Sequence, residues 1–303
     1  MSNASGTSGR PTQESVNRRG FLKVAGAVAA SGAVAAGIAA RELTRPKPAT
    51  HLVARRLTGE IPLDPNAREW TRAAAWTIPL LVQNIVLPFA PELVVPDVRV
   101  RALHNGQQIG FRVEWDDAQE DLVDAMARFR DAVAVQLPTD PTVTPAVTMG
   151  AVNQPVHIMQ WRAAWQVDVD QGRQGVKDTF PNMFHDAPPE SLHGEEAAKV
   201  FYPARYVGNP MARTDRTSPV EDLVAVGFGS LTVHDVQTAT GRGVFSKEHW
   251  SVTLVSPIAD GDGKTVMSPG TTTSVAFAVW NGSAGNRGSR KQWSNWTMLE
   301  IEA

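Results

Sequence analysis

No cysteine occurs in the 303 residues. That absence excludes disulfides, thiolate-held zinc, Fe–S clusters carried by the chain itself and thioether attachment of a c-type haem. Tyrosine is scarce, two residues against nine tryptophans. An excess of one charge is also lacking: 29 Lys+Arg stand against 31 Asp+Glu, for a formal net charge of -2. The chain therefore carries no electrostatic footprint for nucleic acid. Nor is there a strongly apolar run of the roughly 20 residues that a membrane-spanning helix needs. The nearest approach, Val24 to Ala40, is built only from Ala, Gly, Val, Ile and Ser. What is present is ample for a packed core, with 42% hydrophobic residues in a chain of one-to-two-domain length.

The N-terminus reads as an address. Asn17-Arg18-Arg19-Gly20-Phe21-Leu22-Lys23 precedes the Ala/Gly-rich run, the layout of a twin-arginine export signal, which places the mature chain outside the cytoplasm. Cleavage near Ile38-Ala39-Ala40 and retention as an anchor both remain open. Residues 1–40 are thus assigned to the signal. Residues 41–65, polar and proline-bearing without a sustained period, are assigned to a tether, and 66–303 to a single domain.

Within that domain the patterning is mainly that of strands. Val98 to Ala102 and Ile109 to Trp115 alternate apolar and polar residues about Asn105-Gly106, the signature of a tight hairpin. One face, with Val98, Val100, Phe111, Val113 and Trp115, is expected to meet the core. Trp76 to Val82 reads as a strand that Pro79 confines to an edge, and Ala67 to Ala75 as a short helical turn carrying Trp70. Further strands are expected at 131–137, 223–233, 249–255, 274–280 and 297–301. Val156 to Val169 reads as one bent strand or two in succession, carrying Trp161 and Trp165. The irregular stretch 172–221 is long enough to suggest a lid or docking surface. Many short strands with Gly/Pro/Asn turns and little helix give a mainly β fold, a β-sandwich.

Residue chemistry alone points to no site. A lone methionine such as Met149 usually fills a core gap. His104, His157, His185, His193, His234 and His249 are better naive metal ligands. His185-Asp186 and His193-Gly194-Glu195-Glu196 lie in polar loop sequence, and Asp260-Gly261-Asp262-Gly263 lacks the glutamate of an EF-hand.

Several blocks, taken in order, nevertheless resemble the haem b (gamma) subunit of the type II dimethyl sulfoxide reductase family of molybdenum enzymes, which includes ethylbenzene and dimethylsulfide dehydrogenases and selenate and chlorate reductases. They are Ala102-Leu103-His104-Asn105-Gly106 with Phe111 to Asp117, Phe129 to Gln136, Met149-Gly150 leading to Trp161-Arg162-Ala163, Arg216 to Leu223, Gly227-Phe228-Gly229, and Phe277 to Ser283 followed by Lys291. The resemblance covers about residues 60 to 303. It implies a sandwich related to carbohydrate-binding modules, holding one non-covalent haem b between two axial ligands that fall on Met149 and Lys291. Just past the lysine, Gln292-Trp293 replaces smaller residues of the family pattern, and Lys264 or a histidine stands as the alternative ligand. Trp161 is a candidate cofactor wall, and Arg290, Arg162 and Arg287 are candidates for the haem propionates by charge type.

The function implied is one-electron relay within an exported complex. A molybdopterin subunit and an Fe–S subunit would complete a heterotrimer, and a soluble c-type cytochrome would be the external carrier. The rival readings are a carbohydrate-binding module that stacks sugars on surface tryptophans and a stand-alone periplasmic cytochrome b.

Overall fold

The computed structural model describes residues 51–123, 127–173, 180–184, 199–209, 212–213, 215–258 and 263–303. The twin-arginine segment, the paired His185 and His193 motifs and Asp260 to Asp262 lie outside them. The strands, in chain order, are β1 (His51–Arg56), β2 (Trp76–Pro79), β3 (Leu81–Val82), β4 (Asp97–His104), β5 (Gln108–Asp116), β6 (Ala132–Pro138) and β7 (Val156–Arg162). After the helix α1 (Ala163–Gln171) come β8 (Val220–Ala225), β9 (Thr232–Val233), β10 (Thr240–Phe245), β11 (His249–Pro257), β12 (Thr272–Trp280), β13 (Gln292–Trp293) and β14 (Thr297–Ile301).

The strands run in the order β10-β11-β5-β4-β1-β14-β12-β6-β7-β8-β9. β12 serves two layers: Thr272 to Val275 pair with β14, while Ala276 to Trp280 pair with β6. The ribbon folds back on itself there. Trp161 on β7 meets Trp250 on β11 edge-on with centroids 5.0 Å apart, and Phe111 on β5 meets Phe277 on β12 at 6.2 Å. Two sheets packed through such interdigitated aromatics make a β-sandwich, and each such aromatic pair adds about 0.5–1.5 kcal/mol beyond its buried area.

The expected β4–β5 hairpin forms, with Val100 opposite Val113 and His104 opposite Ile109, and its expected face is fully buried. Its turn works differently from the expectation. Gly106 alone takes a positive φ, and Asn105 contributes its side-chain oxygen, which accepts from the amides of Gln107 and Gln108. β2 pairs only with β4, as its proline requires, and the turn at Arg68–Arg72 is a 3₁₀ turn that buries Trp70.

Three expectations are corrected and one strand is added. The run expected at 223–233 is two strands, β8 and β9, with a turn over 226–231 between them. Residues 51–56, assigned to a tether, form β1, inserted between β14 and β4 and parallel to both, with Leu52 and Ala54 fully buried. A strand so short, bearing exposed Arg55 and Arg56, shows little period of its own. The stretch after Arg162 becomes the helix α1 rather than a continuing strand. Its β-branched Val167 and Val169 mimic alternation, but Trp165 is clasped between Arg162 and Arg216, 4.0 and 3.6 Å from the ring centroid. β10 was not expected at all, because Gly241 and Gly243 depress its β propensity. Gly243 is required: a Cβ there would lie 2.2 Å from the Trp161 ring.

Candidate functional site

Alternation along the second sheet decides where its two faces look. Val133 and Val135 on β6, Met159 and Trp161 on β7, and Val275 and Val279 on β12 enter the inter-sheet core. Their neighbours Ala132, Ala134, Ile158, Gln160, Ala276 and Ala278 face the other way and floor a cavity of about 410 Å³. Four alanines side by side on adjacent strands leave a flat, apolar recess. Residues 85–87, 147–149, 228–229, 286–289 and Lys291 wall it, and apolar Ile85, Leu87 and Phe228 at its rim remain exposed. A recess of this size, mostly apolar with few polar groups, is typical of small-molecule and cofactor sites.

Met149 enters from one wall on strained backbone. Its φ is +72°, a left-handed conformation that costs a non-glycine residue roughly 1–2 kcal/mol. The surroundings impose it: the Gly150 amide donates to Ala146 O at 2.8 Å and the Gly227 amide to Met149 O at 2.8 Å. Gly150, itself at φ +78°, packs so tightly that a Cβ would lie 2.7 Å from Gln154 O.

Lys291 enters from the opposite wall, immediately before β13. Its Nζ lies 3.9 Å from Met149 Sδ and 5.2 Å from the centre of the Trp280 ring. Burial lowers its ammonium to about 8 from an ordinary 10.5. Among the described residues no carboxylate pairs with it, and a thioether and an indole face compensate a buried cation poorly. Burial shifts the balance toward the neutral amine, the form able to bind a metal, while the ammonium still predominates at pH 7.

Among the described residues no acidic side chain lines the cavity, whereas Arg130, Arg162 and Arg287 do. Arg162 also donates to Gln160 at 2.9 Å, and Arg287 lies 4.2 Å from the Phe129 ring.

The other sequence candidates fall elsewhere. Trp161 is fully buried on the core side of β7 and does not reach the cavity; strand parity puts it on the face opposite Gln160 and Arg162. Arg290 pairs with Arg287 across a tight turn but is not part of the lining. Lys264 is buried against Asp222 and Thr238, at 3.4 and 2.6 Å. His157 pairs with the same aspartate at 2.7 Å, His249 with Asp116 at 2.9 Å, and His104 is buried in the domain interior. None of His104, His157, His234 and His249 lines the cavity. The described residues contain no group of three His, Asp or Glu able to hold a metal ion. Reasoning from sequence missed Gln83, Arg130 and the alanine floor, which are legible only once the strand parity is known.

The cavity suits a flat, anionic, metal-bearing group. Lys291 Nζ and Met149 Sδ, 3.9 Å apart on opposite walls, are the two donor atoms that would hold such a metal. The alanine floor matches a planar ring, and Arg130, Arg162 and Arg287 match carboxylates in charge. The model of the ethylbenzene dehydrogenase family matches residues 67–292, a span that contains both Met149 and Lys291. The chain belongs to this family. Among relatives, it is 23% identical over 242 residues to a protein of Haloferax mediterranei named as a respiratory nitrate reductase haem subunit, covering 79% of this chain and 68% of that one. It is 24% identical over 253 residues to the dimethylsulfide dehydrogenase gamma subunit of Rhodovulum sulfidophilum, covering 79% and 76%. Among solved structures it is similar to a family 9 carbohydrate-binding module of Caldicellulosiruptor kristjanssonii in complex with glucose, at 7% identity and a TM-score of 0.38 over 84% of this chain and 96% of that one.

Proposed function

We propose that this member of the ethylbenzene dehydrogenase family is the haem b electron-transfer subunit of an exported molybdenum oxidoreductase complex, with Met149 and Lys291 as the axial ligands of a single non-covalent haem. The observation that carries the reading is the 3.9 Å approach of the Lys291 amine to the Met149 sulfur across a cavity that no described carboxylate lines. The family assignment, the relative named as a nitrate reductase haem subunit and the relative named as a dimethylsulfide dehydrogenase gamma subunit support it.

Bound there, haem supplies reversible one-electron chemistry at its iron. Met149 and Lys291 would close both axial positions, which leaves no place for oxygen or substrate and suits transfer rather than catalysis. The soft thioether favours the reduced metal. Arg130, Arg162 and Arg287 offer positive charge to the propionates, and the alanine floor with Ile85 and Phe228 keeps water away. In this account electrons pass between the Fe–S subunit of a heterotrimer, whose third member carries the molybdopterin, and a soluble c-type cytochrome. The leader around Arg18-Arg19 would export the assembled protein in folded form.

The sugar-binding reading gains no support from the tryptophans. Trp70, Trp115, Trp161, Trp165, Trp250 and Trp280 are buried, and Trp76, Trp293 and Trp296 are only partly accessible. The test is to purify the full chain from haem-replete cells and record its spectrum. A Soret band with sharp reduced α and β bands is expected, together with co-purifying molybdenum and Fe–S subunits. A colourless folded protein would end the proposal.

A further inference from the structure

Lys291 is a long side chain on a loop, and a ligand so placed needs its backbone held. The short ladder between β3 and β13 pairs Val82 with Gln292 and Leu81 with Trp293. It is extended by one rung: the Gln83 amide donates to Lys291 O at 3.1 Å. Gln83 is buried, and its side chain is fully engaged. Its Oε1 accepts from the amides of Ile85 and Val86, both at 2.7 Å. Its Nε2 donates to Val86 O at 2.7 Å and to Ser289 O at 3.0 Å. The Ala90 amide closes the 83–90 loop on Gln83 O at 2.9 Å. A second tie joins the same two loops, Ser289 Oγ donating to Pro88 O at 2.8 Å.

One buried amide therefore organises the cavity wall that carries Ile85 and Leu87 and grips the loop that presents Lys291. A carboxamide suits this position because it offers an acceptor to one pair of groups and two donors to another. We propose that Gln83 is a positioning residue that pre-organises Lys291 for metal ligation by locking the 83–90 and 286–291 loops together. The proposal rests on Lys291 being a ligand. Its physical basis is that a ligand held in its productive place by buried, satisfied hydrogen bonds loses less freedom when it binds.

The experiment uses full-length holoprotein and imidazole, a competing axial ligand, at one fixed pH. Gln83→Met keeps the volume but removes all four side-chain bonds. It is expected to lower the imidazole concentration that displaces half of the native ligand by about tenfold, the equivalent of about 1.4 kcal/mol. Ser289→Ala, which removes the second tie alone, should lower it about two- to threefold and keeps the test alive if Gln83→Met does not fold. Gly110→Ala, which sets a methyl 2.7 Å from Ile61 and 3.1 Å from Trp70 in a cluster that does not line the cavity, lowers stability from β5 and should leave the competition unchanged. The proposal is overturned if Gln83→Met and Ser289→Ala both behave like the parent, or if Gly110→Ala shifts the competition as far as they do. Lys291→Ala separates the two levels of the argument. If it leaves the axial-ligand spectrum unaltered, the ligand assignment itself is wrong. If it alters the spectrum while the loop variants change nothing, only the role of Gln83 fails.

Discussion

Met149 shows why a single residue can be invisible to sequence chemistry and decisive in the fold. Its residue type argues for core filling, and only its left-handed backbone and its distance from Lys291 set it apart. Backbone strain of this kind is retained where the surroundings enforce it, often at functional positions. Gly150→Ala tests that enforcement. The new methyl would meet Gln154 O at 2.7 Å and Ala225 O at 3.0 Å in a conformation with φ +78°, so a loss of roughly 1–3 kcal/mol is expected in urea unfolding, along with weakened haem retention. Lys291 gave even less signal, since a lysine near a chain end reads as surface. The resemblance picked out both residues. Trp161, a candidate cofactor wall, and Arg290, a candidate by its charge, fall off the cavity, because parity along β7 and the geometry of the Arg287–Arg290 turn are properties of the folded chain.

At the scale of elements, what could be read from the sequence was whatever carried its own local rule. The β4–β5 hairpin has strict alternation and a turn dipeptide, and β14 has a clean apolar period, so both were found. Elements whose conformation is imposed by partners were not. β1 is a strand because β4 and β14 flank it, β10 because the Trp161 ring needs glycine opposite, and α1 because Trp165 is held between two guanidinium groups. The cavity floor belongs to the same class. Ala132, Ala134, Ala276 and Ala278 are unremarkable in sequence and define the recess only when β6 and β12 are paired. Ala134→Leu places three extra carbons over that floor. Haem uptake, measured by Soret titration of apoprotein, should fall at least tenfold, while the thermal midpoint of the apoprotein changes little, since the added side chain enters open space. Unchanged uptake would show that the recess is not the haem site.

For the whole molecule, the sandwich depends on the strand assigned at first to a tether. Deleting residues 1–57 removes β1 and leaves β4 and β14 without a shared partner, so the chain should lose its cooperative thermal transition; retention of a sharp transition would contradict the central place of β1. The pH dependence of stability is set in part by Asp131, which accepts from Gly282 N and Asp121 N, both at 2.8 Å, and from Trp250 Nε1 at 2.9 Å. Burial, with Asp117 nearby, raises its carboxyl from 3.8 to about 7 against those favourable donors. Between these values the folded state holds a proton that the unfolded chain has released. Stability from this group is therefore present below about pH 4 and lost as pH rises through 7, with a slope of at most about 1.4 kcal/mol per pH unit. In urea unfolding at a series of pH values, Asp131→Asn should remove that slope.

The central claim is that two side chains 142 positions apart in sequence share one iron. The most direct measurement is electron paramagnetic resonance of the oxidised holoprotein, with matched optical spectra, for the parent, Met149→Ala and Lys291→Ala. The account predicts a single low-spin, six-coordinate species in the parent and a different axial signature in each variant, with the fold intact by circular dichroism. Parent-like spectra from both folded variants would contradict it.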